Sequence, residues 1–283
     1  MSIKDRLPVL AADGLVTPDV GEWAYKKYFR VWLYNQMFTT GMKNRWFRVY
    51  IDLFAGAGRS LLRDSRRIVP NAAILALDLR DRYDRYVFCE KDPERIGALR
   101  ERVGRVAPGA DVRYVLGDSN ETTSEIATHV PADALTFCFA DPYGVNLRLE
   151  TIRRLSAGRN VDFLILLALQ MDANRNRERY AREESRRLED FLGNARWRTA
   201  WEEAERRGED FRMFLADQYI AAMRSLGYAR TTRADLYQMR TEVRNLSIYY
   251  LAFFSKHALG YRFWREALKY SDKQTSMLDG LGI

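Results

Sequence analysis

Apolar and polar positions change period several times along the chain. From Glu22, EWAYKKYFRVWLYNQMF sets Trp23, Tyr28, Trp32 and Phe38 at roughly helical intervals, which predicts an N-terminal helical cap over residues 1–48. Short apolar runs then alternate with amphipathic ones. RVYIDLF, RYVFCEKD, VRYVLGDS, ALTFCFADPYG and VDFLILLAL read as strands. Between them, NAAILALDLRD, PERIGALRERVGRV, a capped SNETTSEIATHV and LRLETIRRLSA read as helices. The second of these opens on proline and keeps Ile96, Leu99 and Val103 on one face. Strands this apolar are covered on both sides, so residues 49–170 are expected to form an α/β core with a mostly parallel sheet. Residues 171–228 break the rhythm with a charged helical insertion whose expected buried contacts are Tyr180, Leu188, Phe191, Trp197 and Trp201. In 229–283, ADLYQMRTEV and LSIYYLAFFS read as an antiparallel strand pair of the same core, and GYRFWREALKYSD as a closing helix.

Composition narrows the class. With 283 residues and 47% hydrophobic, the chain can bury one large core carrying a lobe. No apolar run approaches the roughly 20 residues of a membrane span, and MSIKDRLPVLAADG lacks the apolar block of a signal peptide. Cys89 and Cys138 sit inside strand-like runs, and His129 and His257 are the only histidines, which leaves no zinc set. A soluble, cytoplasmic protein without metal is expected. The net charge of +8 favours an anionic partner, nucleic acid being the usual one. Arg59, Arg63, Arg66 and Arg67 have only Asp64 against them and are the substrate-facing arginines this pattern suggests. The stretch from Arg175 to Arg207 is interleaved with glutamates and reads as solvated helix surface, with a nucleic-acid grip as the alternative.

Candidate chemistry sits at the strand ends. In an open parallel sheet, ligands lie beyond the carboxyl ends of the strands, near the point where strand order reverses. The first strand ends in Asp52 and runs into a turn with Gly56 and Gly58; the next strands end in Glu90, in Gly117-Asp118, and in Asp141-Pro142-Tyr143. Gly56 and Gly58 lack the third glycine of a dinucleotide fingerprint and the lysine of a phosphate loop. An acid at each strand end would repel a pyrophosphate. A nucleoside with an amino-acid arm suits them better: Glu90 for ribose hydroxyls, Asp118 for an adenine amino group, Asp52 near an ammonium, bare glycine backbone beside the arm. Each acid taken singly is equally an exposed helix cap.

DLFAGAG, Glu90, GDS and DPYG, in this order, resemble the class I S-adenosylmethionine-dependent methyltransferases. Much of the chain, roughly Glu22 to Lys269, resembles the bacterial three-Cys-motif partner (TcmP) proteins more closely, through YIDLFAGAG, VFCEKDP, GDSN, ADPYG and IYYLAFFSKHALGYRFW. The resemblance implies a Rossmann-like fold, with a seven-stranded, mostly parallel sheet and an antiparallel last strand. It implies S-adenosyl-L-methionine as cofactor, bound by Asp52, Phe54, Ala55, Gly56, Gly58, Glu90, Lys91, Asp118, Ser119 and Asp141. It also implies a partner, a three-cysteine radical-enzyme-like protein.

DPYG is similar to the D/N-P-P-Y/F tetrapeptide of amino-group methyltransferases, with one proline fewer. By that likeness Asp141 and the Pro142 carbonyl would accept hydrogen bonds from a target amine, and Tyr143 would stack on an unpaired base. The competing reading makes Asp141-Pro142-Tyr143 a plain loop with Tyr143 packed on the cap helix. A carbon-5 cytosine enzyme needs a Pro-Cys nucleophile, and Cys138 follows Phe137 inside a strand. The spacing from Asp52 to Glu90 exceeds that of a compact nucleotide-binding unit by RSLLRDSRRIVPN, read as an arginine-bearing loop that either covers the cofactor or displaces Glu90. His257, after the last strand, reads as a surface or capping residue or, alternatively, as one facing the site, and Lys26 as a cofactor contact or a solvated lysine. The favoured function is an N-methyltransferase acting on a nucleic-acid base. The alternatives are a weakly active or non-catalytic partner of the three-cysteine protein, and a small-molecule methyltransferase.

Overall fold

The computed structural model describes residues 7–182, 184–240 and 247–279. In chain order its elements are β1 (Asp19–Val20), α1 (Trp23–Met42), β2 (Arg48–Asp52), β3 (Arg59–Leu62), β4 (Ile68–Pro70), α2 (Ala72–Leu77), β5 (Arg85–Glu90) and α3 (Pro93–Val106). There follow β6 (Val112–Leu116), α4 (Thr123–Thr128), β7 (Leu135–Ala140), α5 (Leu149–Ser156), β8 (Asn160–Leu167) and a π-helical turn (Leu169–Asn174). The rest comprises α6 (Arg177–Ala181), α7 (Arg187–Leu192), α8 (Trp197–Arg206), α9 (Phe211–Ser225), β9 (Tyr237–Arg240), β10 (Ser247–Phe254) and α10 (Ala258–Asp279).

Seven strands form one sheet in the order β6-β5-β2-β7-β8-β10-β9. β6, β5, β2, β7 and β8 run parallel, and β10 is antiparallel to both β8 and β9. This is the Rossmann-like arrangement with a reversed last strand that the sequence predicts. Because side chains alternate along a strand, each buried strand feeds two cores. Tyr50, Phe88, Phe137 and Phe253 pack on the side of α1, α2, α3 and α10. Ile51, Val87, Cys138, Phe163 and Phe254 pack on the side of α4, α5 and α7–α9. Helix α3 begins where Asp92 accepts the N–H groups of Glu94 and Arg95 and Pro93 supplies a first residue with no donor to satisfy. The insertion holds itself to the second core through the residues its pattern nominates: Tyr180, Leu188, Phe191, Trp197 and Trp201 are all buried. Among the described residues no helix is long and apolar enough to cross a membrane.

Three expectations need correction. The helical cap starts only at Trp23; upstream, Asp19–Val20 is a strand, and Leu10 bridges Ile68. RSLLRDSRRIVPN is an antiparallel hairpin of β3 and β4, joined by β1 into a small separate sheet, rather than a loop. These strands are two to four residues long, and β1 pairs with β3 from about forty positions upstream, so no periodicity announces them. Helix α4 begins at Thr123 with no side-chain cap. The end of ADLYQMRTEV falls outside the described residues.

One buried guanidinium ties the N-terminal segment to the core. Arg102 donates from Nε and Nη2 to Asp13 at 2.8 and 2.7 Å, and from Nη1 to the carbonyls of Val16 (3.0 Å) and Ala57 (2.6 Å). Its hydrogen bonds hold the Asp13 carboxyl well below the usual carboxylate range. Ala57 lies between the two glycines, so Arg102 also fastens the turn after β2 from below.

Candidate functional site

Strand order reverses between β2 and β7: the chain moves outward from β2 through β5 to β6, then returns to β7 on the other side. At the carboxyl ends of these four strands lies a cleft of about 320 Å³. The sequence-predicted residues Phe54, Gly56, Arg63, Glu90, Lys91, Asp118, Ser119, Asp141, Pro142 and Tyr143 line it, as do Trp23, Lys27, Asn146 and Tyr249. Asp52, Ala55 and Gly58 do not line it; all are buried in the structure that carries the turn.

The turn needs its glycines for its own geometry. Gly56 and Gly58 take φ of +62° and +85°, where a Cβ is strained. A Cβ on Gly58 would also come to 3.0 Å from the side chains of Ile74 and Leu99. The Gly56 N–H donates to Glu90 Oε2 at 2.9 Å, and the Asp92 N–H to Glu90 Oε1 at 3.0 Å. Glu90 is therefore seated against the turn despite the long segment before it. Asn71, the last residue of that segment, closes the turn from the far side. Its Nδ2 donates to the Ala55 carbonyl at 2.7 Å, and its backbone N–H to the Gly58 carbonyl at 3.0 Å.

Asp52 supports the turn from beneath, its Oδ1 accepting the Phe54 N–H at 3.1 Å and its Oδ2 the Tyr50 hydroxyl at 3.3 Å. Burial, with the charges of Asp141 and Glu90 nearby, pushes its carboxyl up to about 7. A carboxyl that holds its proton more tightly folded than unfolded stabilises the fold fully below the unfolded value of 3.8, and that contribution is lost as pH rises through about 7. Asp52→Asn removes the ionisation cost. It is expected to raise the thermal midpoint at pH 8 by roughly 5 °C, from a few kcal/mol, and to leave it nearly unchanged at pH 4. Melting curves of both proteins across pH 4–8 check this; an equal shift at both ends contradicts it.

At the end of β7, Asp141 forms an ion pair with Lys27, a side chain of α1 that is 7% exposed against 18% for Asp141. Lys27 also lies over the rings of Tyr28 (5.1 Å) and Tyr249 (5.7 Å). Of the two adjacent lysines it is Lys27 that lines the cleft; Lys26, read as a cofactor contact or a solvated lysine, does not. Tyr143 is 75% exposed and does not pack on α1; its hydroxyl is 3.4 Å from Arg95 Nη1.

Two residues outside the predicted set fix this loop. Asp172, in the π-helical turn, accepts the Val145 N–H on Oδ2 at 2.8 Å, and the Tyr180 hydroxyl (2.7 Å) and Asn176 Nδ2 (2.9 Å) on Oδ1. A Cβ on Gly144 would lie 2.2 Å from Asp172 Oδ2, so the glycine of DPYG makes room for that brace. Asn120, the last residue of GDSN, donates to Asp118 Oδ1 and the Asn146 carbonyl, and accepts from the Arg148 N–H and the Thr151 hydroxyl, all at 2.8–2.9 Å. It joins the ends of β6 and β7 into one rim. Ser119 Oγ and Asn146 Oδ1, both on the cleft, are buried without a hydrogen-bond partner among the described residues. A ligand or a water in the cleft would satisfy both atoms.

The hairpin arginines are largely engaged elsewhere. Arg59 donates to the Ala11 carbonyl at 2.8 Å and pairs with Asp13 at 3.1 Å; Arg66 lies 3.7 Å from Asp19; Arg67 lies over the Tyr25 ring. Of the four, only Arg63 lines the cleft. His257 is remote from it, in a separate apolar hollow with Asp162 and Phe263, where its backbone N–H donates to Ser255 Oγ at the start of α10. Cys89 and Cys138 are buried, and burial pushes the Cys89 thiol up to about 12, so neither is a nucleophile.

No family model matches the chain, and no curated protein matches it. Among solved structures it is similar to the Legionella pneumophila protein LPL1258, with 10% identity, coverage of 83% of this chain and 86% of that one, and a TM-score of 0.47. It is similar to the Bacillus cereus O-methyltransferase in complex with SAH at 9% identity, 89% and 86% coverage and a TM-score of 0.44. Trm5b from Pyrococcus abyssi aligns at 11% identity over 88% of this chain and 51% of that one, with a TM-score of 0.42. At these scores none of the three says what this chain binds.

Proposed function

We propose that this chain binds S-adenosylmethionine in the 320 Å³ cleft and methylates an amino group of a nucleic-acid base. The observation that carries the reading is the convergence of a bare glycine turn and three strand-end acids on one cleft at the sheet's reversal point. The volume lies at the small end of the roughly 300–1,000 Å³ range of ligand pockets, which suits a nucleoside with a short arm. Each Glu90 oxygen already accepts one backbone N–H and keeps a lone pair for a ribose hydroxyl. Asp118, exposed at the rim, accepts an adenine amino group, and the unpartnered Ser119 hydroxyl completes that end. Gly56 presents backbone without a side chain to the amino-acid arm. The cofactor supplies an electrophilic methyl group.

This chain's residues do the rest by positioning. Asp141 and the Pro142 carbonyl accept the N–H groups of the acceptor amine and so leave its lone pair directed away from them. Lys27 pairs with Asp141 and orients it, and Tyr143, its hydroxyl held by Arg95 and its ring exposed, offers its face to an unpaired base. Methyl-labelled S-adenosylmethionine, incubated with the protein and with total RNA, DNA or protein in parallel, tests the reading. Label in a nucleic-acid fraction supports it. Label only in protein or small molecules overturns the acceptor, and cofactor binding without any transfer favours a non-catalytic partner role.

A further inference from the structure

A second cleft, of about 560 Å³, opens from the first and shares Lys91, Asp118 and Asn146 with it. Its wall is polar and strongly cationic: Lys91, Arg148, Arg179, Arg186 and Arg187 line it, against Asp118 and Asp190. These charges are not equivalent. Arg148 is paired with Glu121 at 2.8 Å, and Arg186 with Glu189 at 3.2 Å and Asp190 at 3.8 Å. Lys91, Arg179 and Arg187 are exposed and form no ion pair with a described residue. The fields of Arg179 and Arg187 both reach the hydroxyl of Tyr180, the residue bonded to the Asp172 brace of the DPYG loop. Some of the insertion's other arginines are paired with acids, as Arg177 with Glu205 and Arg207 with Glu209. On this cleft, Arg179 and Arg187 stand with Lys91 next to the rim of the cofactor cleft.

We infer that this second cleft is the backbone track for a single-stranded nucleic acid whose target base enters the first cleft beside Tyr143. The inference rests on the proposed methyltransferase reading and deepens it by naming the substrate class and its path. Guanidiniums from α6 and α7, with Lys91 at the shared rim, supply sequence-independent phosphate contacts. A wall with so little apolar surface offers nothing to an amphipathic helix. The exposed Tyr143 ring supplies the stacking surface that a base, unlike an acidic side chain, uses.

The test uses the full chain. Fluorescence anisotropy of a labelled 12-nucleotide single-stranded RNA and its DNA counterpart is measured between 50 and 300 mM salt, with calorimetric titration of S-adenosylhomocysteine in parallel. The wild type is expected to bind with a log–log salt slope of about −2, from three phosphate contacts at about 0.7 each. Arg179→Glu/Arg187→Glu is expected to lower affinity at least 10-fold and shrink the slope by about 1.4, while S-adenosylhomocysteine affinity stays unchanged and so reports an intact fold. Oligonucleotide binding that is absent, or unchanged in the double variant, overturns the track. So does a polyglutamate peptide that competes as well as RNA, which would make the cleft an acidic-peptide site. Loss of S-adenosylhomocysteine binding alone, with the oligonucleotide results as expected, would remove the cofactor reading and leave the track standing.

Discussion

Glu90→Ala is expected to weaken S-adenosylhomocysteine binding by about 100-fold or more. Two ribose hydroxyls bonded to a carboxylate contribute about 1.5–3 kcal/mol each, and a factor of ten in affinity corresponds to about 1.4 kcal/mol. The same substitution leaves the Gly56 N–H without its acceptor, so the turn that carries the amino-acid arm loosens as well. Glu90→Gln keeps the shape and an acceptor oxygen but loses the charge, and its affinity is expected to fall between the two. Calorimetry on the three proteins gives the comparison, with a melting curve to confirm that each is folded. Affinity for the ligand unchanged in Glu90→Ala would mean that the cleft holds something else.

Asp141→Asn is expected to lower methyl transfer by about 10²–10³, the range seen when one group aimed at the reacting centre is removed. S-adenosylhomocysteine affinity is expected to change by only a few-fold. The substitution also strands Lys27, whose side chain is 7% exposed, with no counter-charge. Breaking a buried pair on one side leaves an uncompensated charge at a cost of about 3–5 kcal/mol, somewhat less here because Asp141 reaches solvent. Lys27→Met added to Asp141→Asn is therefore expected to recover much of the lost stability without recovering transfer. A double-mutant cycle on unfolding free energies, run beside single-turnover assays, separates the structural from the positioning role. If Asp141→Asn transfers methyl groups at the wild-type rate, the DPYG loop is only a loop.

What the sequence disclosed was local in origin. Apolar strands ending in Asp52, Glu90, Asp118 and Asp141 placed four acids on one edge of the sheet, and the edge follows from strand direction alone. What stayed hidden depends on pairing across the chain. Lys26 and Lys27 are adjacent in α1, a helix apolar on most of its circumference, so the pattern could not say which one turns inward. The hairpin of β3 and β4 looked like a basic loop because its acids, Asp13 and Asp19, lie some forty residues upstream. Asp172, Asn120 and Asn71 are polar residues in charged or turn-rich stretches, and only the folded chain sets them against the turn and the DPYG loop. The insertion's balanced composition was equally silent on placement: only the folded chain sets Arg179 and Arg187 on the second cleft beside Lys91.

The central claim is that the cleft beyond β2, β5, β6 and β7 is a seat for S-adenosylmethionine. Calorimetric titration of the unmodified protein with S-adenosylmethionine and S-adenosylhomocysteine tests it most directly. One site per chain with micromolar affinity for both is expected, with adenosine alone binding far more weakly because it lacks the amino-acid arm that meets the glycine turn. No heat of binding at millimolar ligand, from a protein whose melting curve shows it folded, would contradict it.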